Sequence, residues 1–308
     1  MVYNTIINEQ PDREEKSMSV QFFRTQLRRL QGLAEEEPIS LERREQELIG
    51  SLLQWGKHKR VRFEEIEFPA FRAAMAVPTA CKGQGAVLYL HGGGYVCGDL
   101  NYAKGFGSVL CQETSVPVLC PAYRLAPEFP FPAALEDAVA AYRHLLERFS
   151  PEQLVFIGES AGGGLLLSLC IEAKRLGLPQ PGGLICISPW TDLTASGVSY
   201  EENKDVDPSM TLSRLQRYAA CYSDDLRNPL VSPLFADLTG LPESLIFVGG
   251  DEIMMSDSTL LYDALLQAGC QATLTVAPDL WHGYVLYNLK ERRIDMDAIR
   301  DLIRRITA

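Results

Sequence analysis

Gly158-Glu159-Ser160-Ala161-Gly162 is a GxSxG pentapeptide that directly follows the apolar run LVFIG and precedes the helical run LLLSLCIEAKRL. A strand-to-helix turn this tight has no room for side chains two residues either side of the serine, and it pushes the serine Oγ out at the carboxyl edge of a sheet. The helix start behind it adds backbone N–H groups and a positive dipole end. The spacing therefore points to nucleophilic acyl transfer at Ser160. The competing readings are a structural serine in a glycine-rich helix start and a phosphate-cradling loop; neither a GK[ST] ending nor a spaced GxGxxG is present.

A second glycine-rich turn, His91-Gly92-Gly93-Gly94, follows the run AVLYL, which places it at the same sheet edge. Its N–H groups, with that of the residue after the nucleophile, can stabilise the oxyanion of a tetrahedral intermediate by about 3 kcal/mol per donor. Gly92, Gly93 and Ala161 are the donors this reading selects. Four histidines limit the choice of general base. His58 sits in a basic stretch before the sheet, His144 in the middle of a helical run, and His91 in the glycine turn itself. His282, in DLWHGY just after the run ATLTV, stands where a loop histidine can reach Ser160. The acid should follow the preceding strand, LIFVG, and there Asp251 and Glu252 stand side by side. One of the two is then a solvated loop charge or a helix cap.

Positioning these groups needs strands that end together. The runs Ala86 to Leu90, Val116 to Cys120, Leu154 to Gly158, Leu184 to Ser188, Leu245 to Gly249 and Ala272 to Val276 are continuously apolar, as strands buried on both faces are. VRFEEIEF and FRAAMAV form a hairpin ahead of them, making eight strands. Helical stretches near 102–113, 133–149, 161–176, 257–268 and 291–306 alternate with the runs, the pattern of a mostly parallel sheet flanked by helices. Two segments break the alternation. Residues 1–55 are charged and carry apolar residues at helical spacing (Val20, Phe23, Leu27, Leu30, then Leu41, Leu48, Leu52), with Pro38 and Ser40 between two helices. Residues 195–225 are polar and lack a clear strand. The expected division is N-terminal cap helices over 1–55 and an α/β domain over 56–308, with a cap insertion at about 195–225.

The chain has 308 residues with 29 Lys and Arg against 40 Asp and Glu, a net charge of −11 that repels phosphate backbones and anionic lipid. Nucleic acid and membrane surfaces are therefore not expected partners. Eight cysteines scattered singly through apolar runs, with no CxxC pair, read as core residues of a reducing compartment. The first residues lack a basic start followed by an apolar stretch, and no run of about 18 apolar residues occurs. A cytoplasmic protein is expected, and a homodimer is left open.

Taken together, HGGGY, YRLAPEFPFPAALEDA (Tyr123 to Ala138), GESAGGG, SPWTDLT (Ser188 to Thr194), the acid loop and WHGY resemble the hormone-sensitive-lipase-like esterases, the bacterial family IV branch of the α/β-hydrolases. The order Ser, acid, His is that of α/β-hydrolases. The resemblance implies an eight-stranded, mostly parallel sheet, a helical cap, and hydrolysis of short-acyl esters with no cofactor or metal. Three positions depart from the family pattern: Glu159 where Asp is most common, Phe129 where His is common, and GGDEIMMSD in place of the frequent DPLxDE. If Asp257 is the second aspartate of that loop, Glu252 lies nearer the expected acid position. Its additional methylene also extends its reach, so Glu252 is favoured and Asp251 is the alternative. The expected activity is a serine carboxylesterase on a small-molecule ester. An amidase, lactonase or arylformamidase on the same site is the alternative, and a non-catalytic ligand receptor on this fold is the reading from another class.

Overall fold

The computed structural model describes residues 5–7, 18–34, 38–44, 60–287 and 289–308. In chain order these form β1 (Thr5–Ile7), α1 (Met18–Ala34), α2 (residues 39–44), β2 (Val61–Glu67), β3 (Arg72–Pro78), β4 (Ala86–Leu90), α3 (Leu100–Thr114) and β5 (Val118–Ala122). Then come α4 (Ala133–Leu146), β6 (Leu154–Glu159), α5 (Ala161–Arg175), β7 (Gly183–Ile187), α6 (Ser199–Glu202), α7 (Leu212–Tyr222), β8 (Ser244–Gly249), α8 (Met255–Gln267), β9 (Ala272–Ala277) and α9 (Arg293–Ile306). The eight strands read from the sequence are all present. Among the described residues a ninth joins them: Thr5–Ile7 pairs in parallel with the outer edge of β9, from a segment read as part of the cap. Three residues, even between Asn4 and Asn8, leave too little pattern to separate such a strand from a helix or loop. Leu48, Leu52, His58 and the expected boundary near residue 55 lie outside the described residues.

The strand order is β1-β9-β8-β7-β6-β4-β5-β3-β2, parallel from β1 through β5 and antiparallel at β3 and β2. Two cores sandwich the sheet, which is why the central strands show no polar alternation. Leu88, Leu90, Phe156, Leu184 and Cys186 face one core, with α4, α5 and α8 over them. Val87, Tyr89, Val155, Ile157, Ile185 and Ile187 face the other, under α3 and α9. The chain leaves β4 into α3 on one face and leaves its neighbour β6 into α5 on the other. That divergence opens a crevice at the carboxyl ends of adjacent strands, where α/β sheets bind ligands.

Two elements outside the sheet matter for the site. On α1, Val20 is buried in the second core, and Phe23 and Leu27 pack against it, with the Phe23 ring edge-on to Tyr287 at 5.3 Å. Within the insertion, α7 turns Leu215, Tyr218, Ala219 and Tyr222 inward. Tyr222 stacks on Tyr95 of the glycine turn at 3.8 Å. All eight cysteines are free thiols; five are buried, two are half-buried and Cys81 is exposed, so the core reading fails for Cys81.

Candidate active site

Ser160 sits between the last residue of β6 and the first of α5 with φ 55° and ψ −124°, a region a non-glycine residue occupies at a cost of about 1–3 kcal/mol. The surrounding bonds hold it there. Its N–H donates to Ile187 O at 2.9 Å, and its carbonyl accepts N–H bonds from Gly163, Gly164 and Trp190. Close approach explains the flanking glycines. A Cβ on Gly158 would lie 2.3 Å from Gly162 O, and one on Gly162 would lie 2.1 Å from Leu90 O. The serine is 8% exposed, so little water reaches it.

The glycine turn after β4 passes directly beside this elbow: a Cβ on Gly92 would fall 3.1 Å from Ser160 Cβ. Gly92 itself is not an available oxyanion donor. Its single N–H donates to Glu159 Oε1 at 2.7 Å, which corrects the expectation from the motif. Among the described residues no protein acceptor takes the N–H of Gly93, Gly94 or Ala161. Ala161 opens α5, where the first turn has no intrahelical acceptor. The three unclaimed donors are thus Gly93, Gly94 and Ala161. Tyr218 packs over Gly94 so closely that a Cβ there would lie 2.2 Å from its ring. Glu159 is buried, and burial pushes its carboxyl up to about 7, with the bonds from Gly92 and the tyrosines working the other way. Tyr102 donates to the same Oε1 at 3.2 Å.

Across the crevice, the loops after β8 and β9 bring Glu252 and His282 together. Glu252 Oε2 accepts from His282 Nδ1 at 2.9 Å. The other oxygen, Oε1, accepts the Gly249 N–H at 2.5 Å and the Ser188 hydroxyl at 2.6 Å, so a fully buried carboxylate has three donors. Asp251 points elsewhere, to Arg24 on α1 at 2.6 Å. With Nδ1 bonded to the carboxylate, His282 presents Nε2, which is buried and has no protein partner among the described residues. Burial alone would lower the imidazole pKa. The hydrogen bond and charge of Glu252, with Asp207 and Glu159 further off, outweigh it and raise the pKa above its usual value. This geometry suits a base that takes a proton at Nε2 while the acid holds the tautomer.

A family model described as the alpha/beta hydrolase fold matches residues 87–286, which contain Ser160, the glycine turn, Glu252 and His282. The chain belongs to the alpha/beta-hydrolase family, in its hormone-sensitive-lipase-like branch. It is 40% identical to an acetyl-hydrolase of Streptomyces hygroscopicus over 205 residues, covering 66% of this chain and 69% of that protein. An esterase of Acinetobacter venetianus is 32% identical over 206 residues, covering 66% and 68%. Among solved structures, an esterase of the bacterial hormone-sensitive lipase family superposes with TM-score 0.88 at 32% identity, over 96% of this chain and all of that one.

The other two histidines among the described residues have different settings. His91 stacks on Tyr123 at 4.2 Å, and its Nδ1 bonds the Gly92 carbonyl at 2.8 Å; burial drops its pKa to about 4, so it is neutral. His144 lies on α4 beside Glu147. Sequence reasoning missed Ser188, whose hydroxyl joins the acid loop to the histidine loop by also accepting the Gly283 N–H at 3.0 Å. Its position at the end of β7, between the nucleophile strand and the acid strand, was the available signal. Asn203 and Asp207 of the insertion were missed as well: Asn203 donates to Gly250 O and Glu252 O, and Asp207 accepts the Ile253 N–H. Asp257, buried and pushed up to about 7 by burial, accepts N–H bonds from Thr191 and Asp192, which accounts for the SPWTDLT stretch. Among the described residues no group of three His, Cys, Asp or Glu side chains is placed to hold a metal ion. None of their helices is long and apolar enough to cross a membrane.

Proposed function

We infer that the hydrolase cleaves short-acyl carboxylic esters with Ser160 as nucleophile, His282 as base and Glu252 as orienting acid. His282 Nε2 takes the Ser160 proton as Oγ attacks the ester carbonyl. The N–H groups of Gly93, Gly94 and Ala161 receive the oxyanion that forms. The imidazolium then gives its proton to the departing alkoxide, leaving an acyl-enzyme. Water, deprotonated by the same nitrogen, releases the acid and restores Ser160. Glu252 stays ionised, holding the tautomer and stabilising the imidazolium.

The observation that carries this reading is the buried Glu252–His282 pair with Nε2 left unpartnered, on the same carboxyl edge of the sheet as a serine in the strained elbow conformation. A ligand receptor on the same fold has no need of a buried carboxylate behind an unpartnered imidazole. In this reading α1, α2 and the insertion form the cap that walls the pocket. Supporting contacts run from Gln31 to Asp207 O and Met210 O, and from Glu42 to Arg217 and Tyr218. The eight free thiols support a reducing, cytoplasmic setting. Turnover of p-nitrophenyl esters from acetate to laurate tests the assignment. Short chains should be preferred, and Ser160→Ala should lose at least about 10⁴-fold in kcat while remaining folded. Activity above a tenth of wild type in that variant removes Ser160 from the role.

A further inference from the structure

Asp251 is not idle. Its carboxylate meets Arg24 Nη1, and the same nitrogen donates to the carbonyl of Asp279 at 3.0 Å, while Nη2 donates to the carbonyl of Val206 at 3.0 Å. One guanidinium on the N-terminal helix thus touches the residue immediately before the acid, the residue three before the base, and the insertion. We propose that Arg24 is a positioning residue for the Glu252–His282 pair, with Asp251 as its anchor. The proposal rests on His282 being the base.

The two loops that Arg24 bridges already share backbone bonds, Gly250 N–H to Ala277 O at 2.8 Å and Asp251 N–H to Leu280 O at 3.0 Å. Those bonds set the loops at their roots. Beyond them the chain is irregular, and its outer side rests on side chains from elsewhere: Asn203 and Asp207 from the insertion, Arg24 from α1. Arg24 reaches both loops and the insertion at once. The three acceptors are shared between two nitrogens of one planar group, Nη1 and Nη2; an ammonium also has three N–H donors but directs them from a single point, so it keeps the charge without that spread. Arg24 and Asp251 keep only 17% and 16% exposure, so the pair is largely shielded from water and each charge depends on the other as its partner. Its effect falls on geometry: a displacement of about 1 Å at a catalytic group can reduce rate on the order of 100-fold. The same helix braces the histidine loop from the apolar side, where Phe23 lies 6.4 Å from the ring of Trp281, the residue before His282.

The test compares Arg24→Met, which keeps the apolar stem and removes the donors, with Arg24→Lys, Asp251→Asn and the Arg24→Met/Asp251→Asn double variant. Arg24→Met should lower kcat by about tenfold or more with KM within about threefold, and Arg24→Lys should recover part of the loss. The double variant should be no slower than the worse single one, because both remove the same link. In the wild type the Nδ1 proton of His282 should give a low-field NMR signal at acid pH, and Arg24→Met should broaden or shift it. Unchanged kcat in Arg24→Met overturns the proposal, as does a loss confined to KM with the proton signal intact. If Arg24→Met does not fold, Asp251→Asn, isosteric and on the sheet side of the link, decides by the same readouts. Fluorophosphonate labelling separates the two levels. No adduct at Ser160 in wild type overturns the esterase reading itself, whereas normal labelling at equal rates in wild type and Arg24→Met overturns only the role of Arg24.

Discussion

The two sides of the crevice are built by different means. On the nucleophile side, the elbow and the glycine turn come from adjacent strands, β6 and β4, and the donors belong to backbone. Glycines let the turns approach, and one side chain from within the motif, Glu159, holds the Gly92 N–H. On the base side, Glu252 and His282 stand on irregular loops, and side chains from β7, the insertion and α1 hold them. Donors carried on backbone that the sheet and its tight turns fix in place need few outside side chains. Side chains that move protons need partners from several parts of the chain, because each rotamer must be locked separately.

The largest expected effect breaks the base side alone. Glu252→Gln should reduce kcat by up to about 10⁴-fold, because the imidazolium loses its compensating charge and its tautomer is no longer held. Asp251→Asn should stay within about 100-fold of wild type, since Asp251 acts only through Arg24. A reversed order in a kcat comparison would show that the loop rearranges to use the aspartate.

The nucleophile side is probed by Glu159. Replacing it with Met removes the acceptor that holds Gly92 and should reduce kcat by about 10²-fold with KM little changed, as expected for donors that matter only in the transition state. Glu159→Gln keeps an acceptor oxygen and should remain within a few-fold. Equal losses in both variants would show that the charge, not the hydrogen bond, is what the turn requires.

The smallest effect sharpens the contrast through pH. Only neutral His282 accepts the serine proton, and its folded pKa is raised, so kcat/KM should climb with pH with a midpoint above the usual imidazole value of about 6.5. In Glu252→Gln the residual activity should have its midpoint at lower pH, because burial then acts with little opposition. Glu159 titrates near 7, so the profile of Glu159→Gln is recorded alongside; the histidine limb should persist there. A limb that vanishes in Glu159→Gln and is untouched in Glu252→Gln assigns the ionisation to Glu159 instead.

The eight strands, the five major helices that follow them and the position of Ser160 were legible because each rests on local pattern. Doubly buried strands read as apolar runs, and a GxSxG between strand and helix has one geometry that fits. Gly92 was misassigned for a reason local pattern cannot supply. All three glycines have the same sequence signature, and only the direction of each N–H, set by Glu159 beneath the turn, separates them. The β1 strand went unread because three residues carry too little periodicity and depend on β9 for their partner.

Residue types, chain order and strand spacing by themselves determined the sheet and singled out Ser160 and His282 as the proposed nucleophile and base. Those features follow from burial periodicity and backbone sterics, which act over a few residues. Only the tertiary structure separated the surroundings of Glu252 and Asp251, adjacent carboxylates of equal charge, and so supports Glu252 as the proposed acid. That choice depends on what each side chain meets: Ser188, Gly249 and His282 for Glu252, and Arg24 from the N-terminal helix for Asp251. Contacts between segments so distant in the chain leave no local trace in the order of residues.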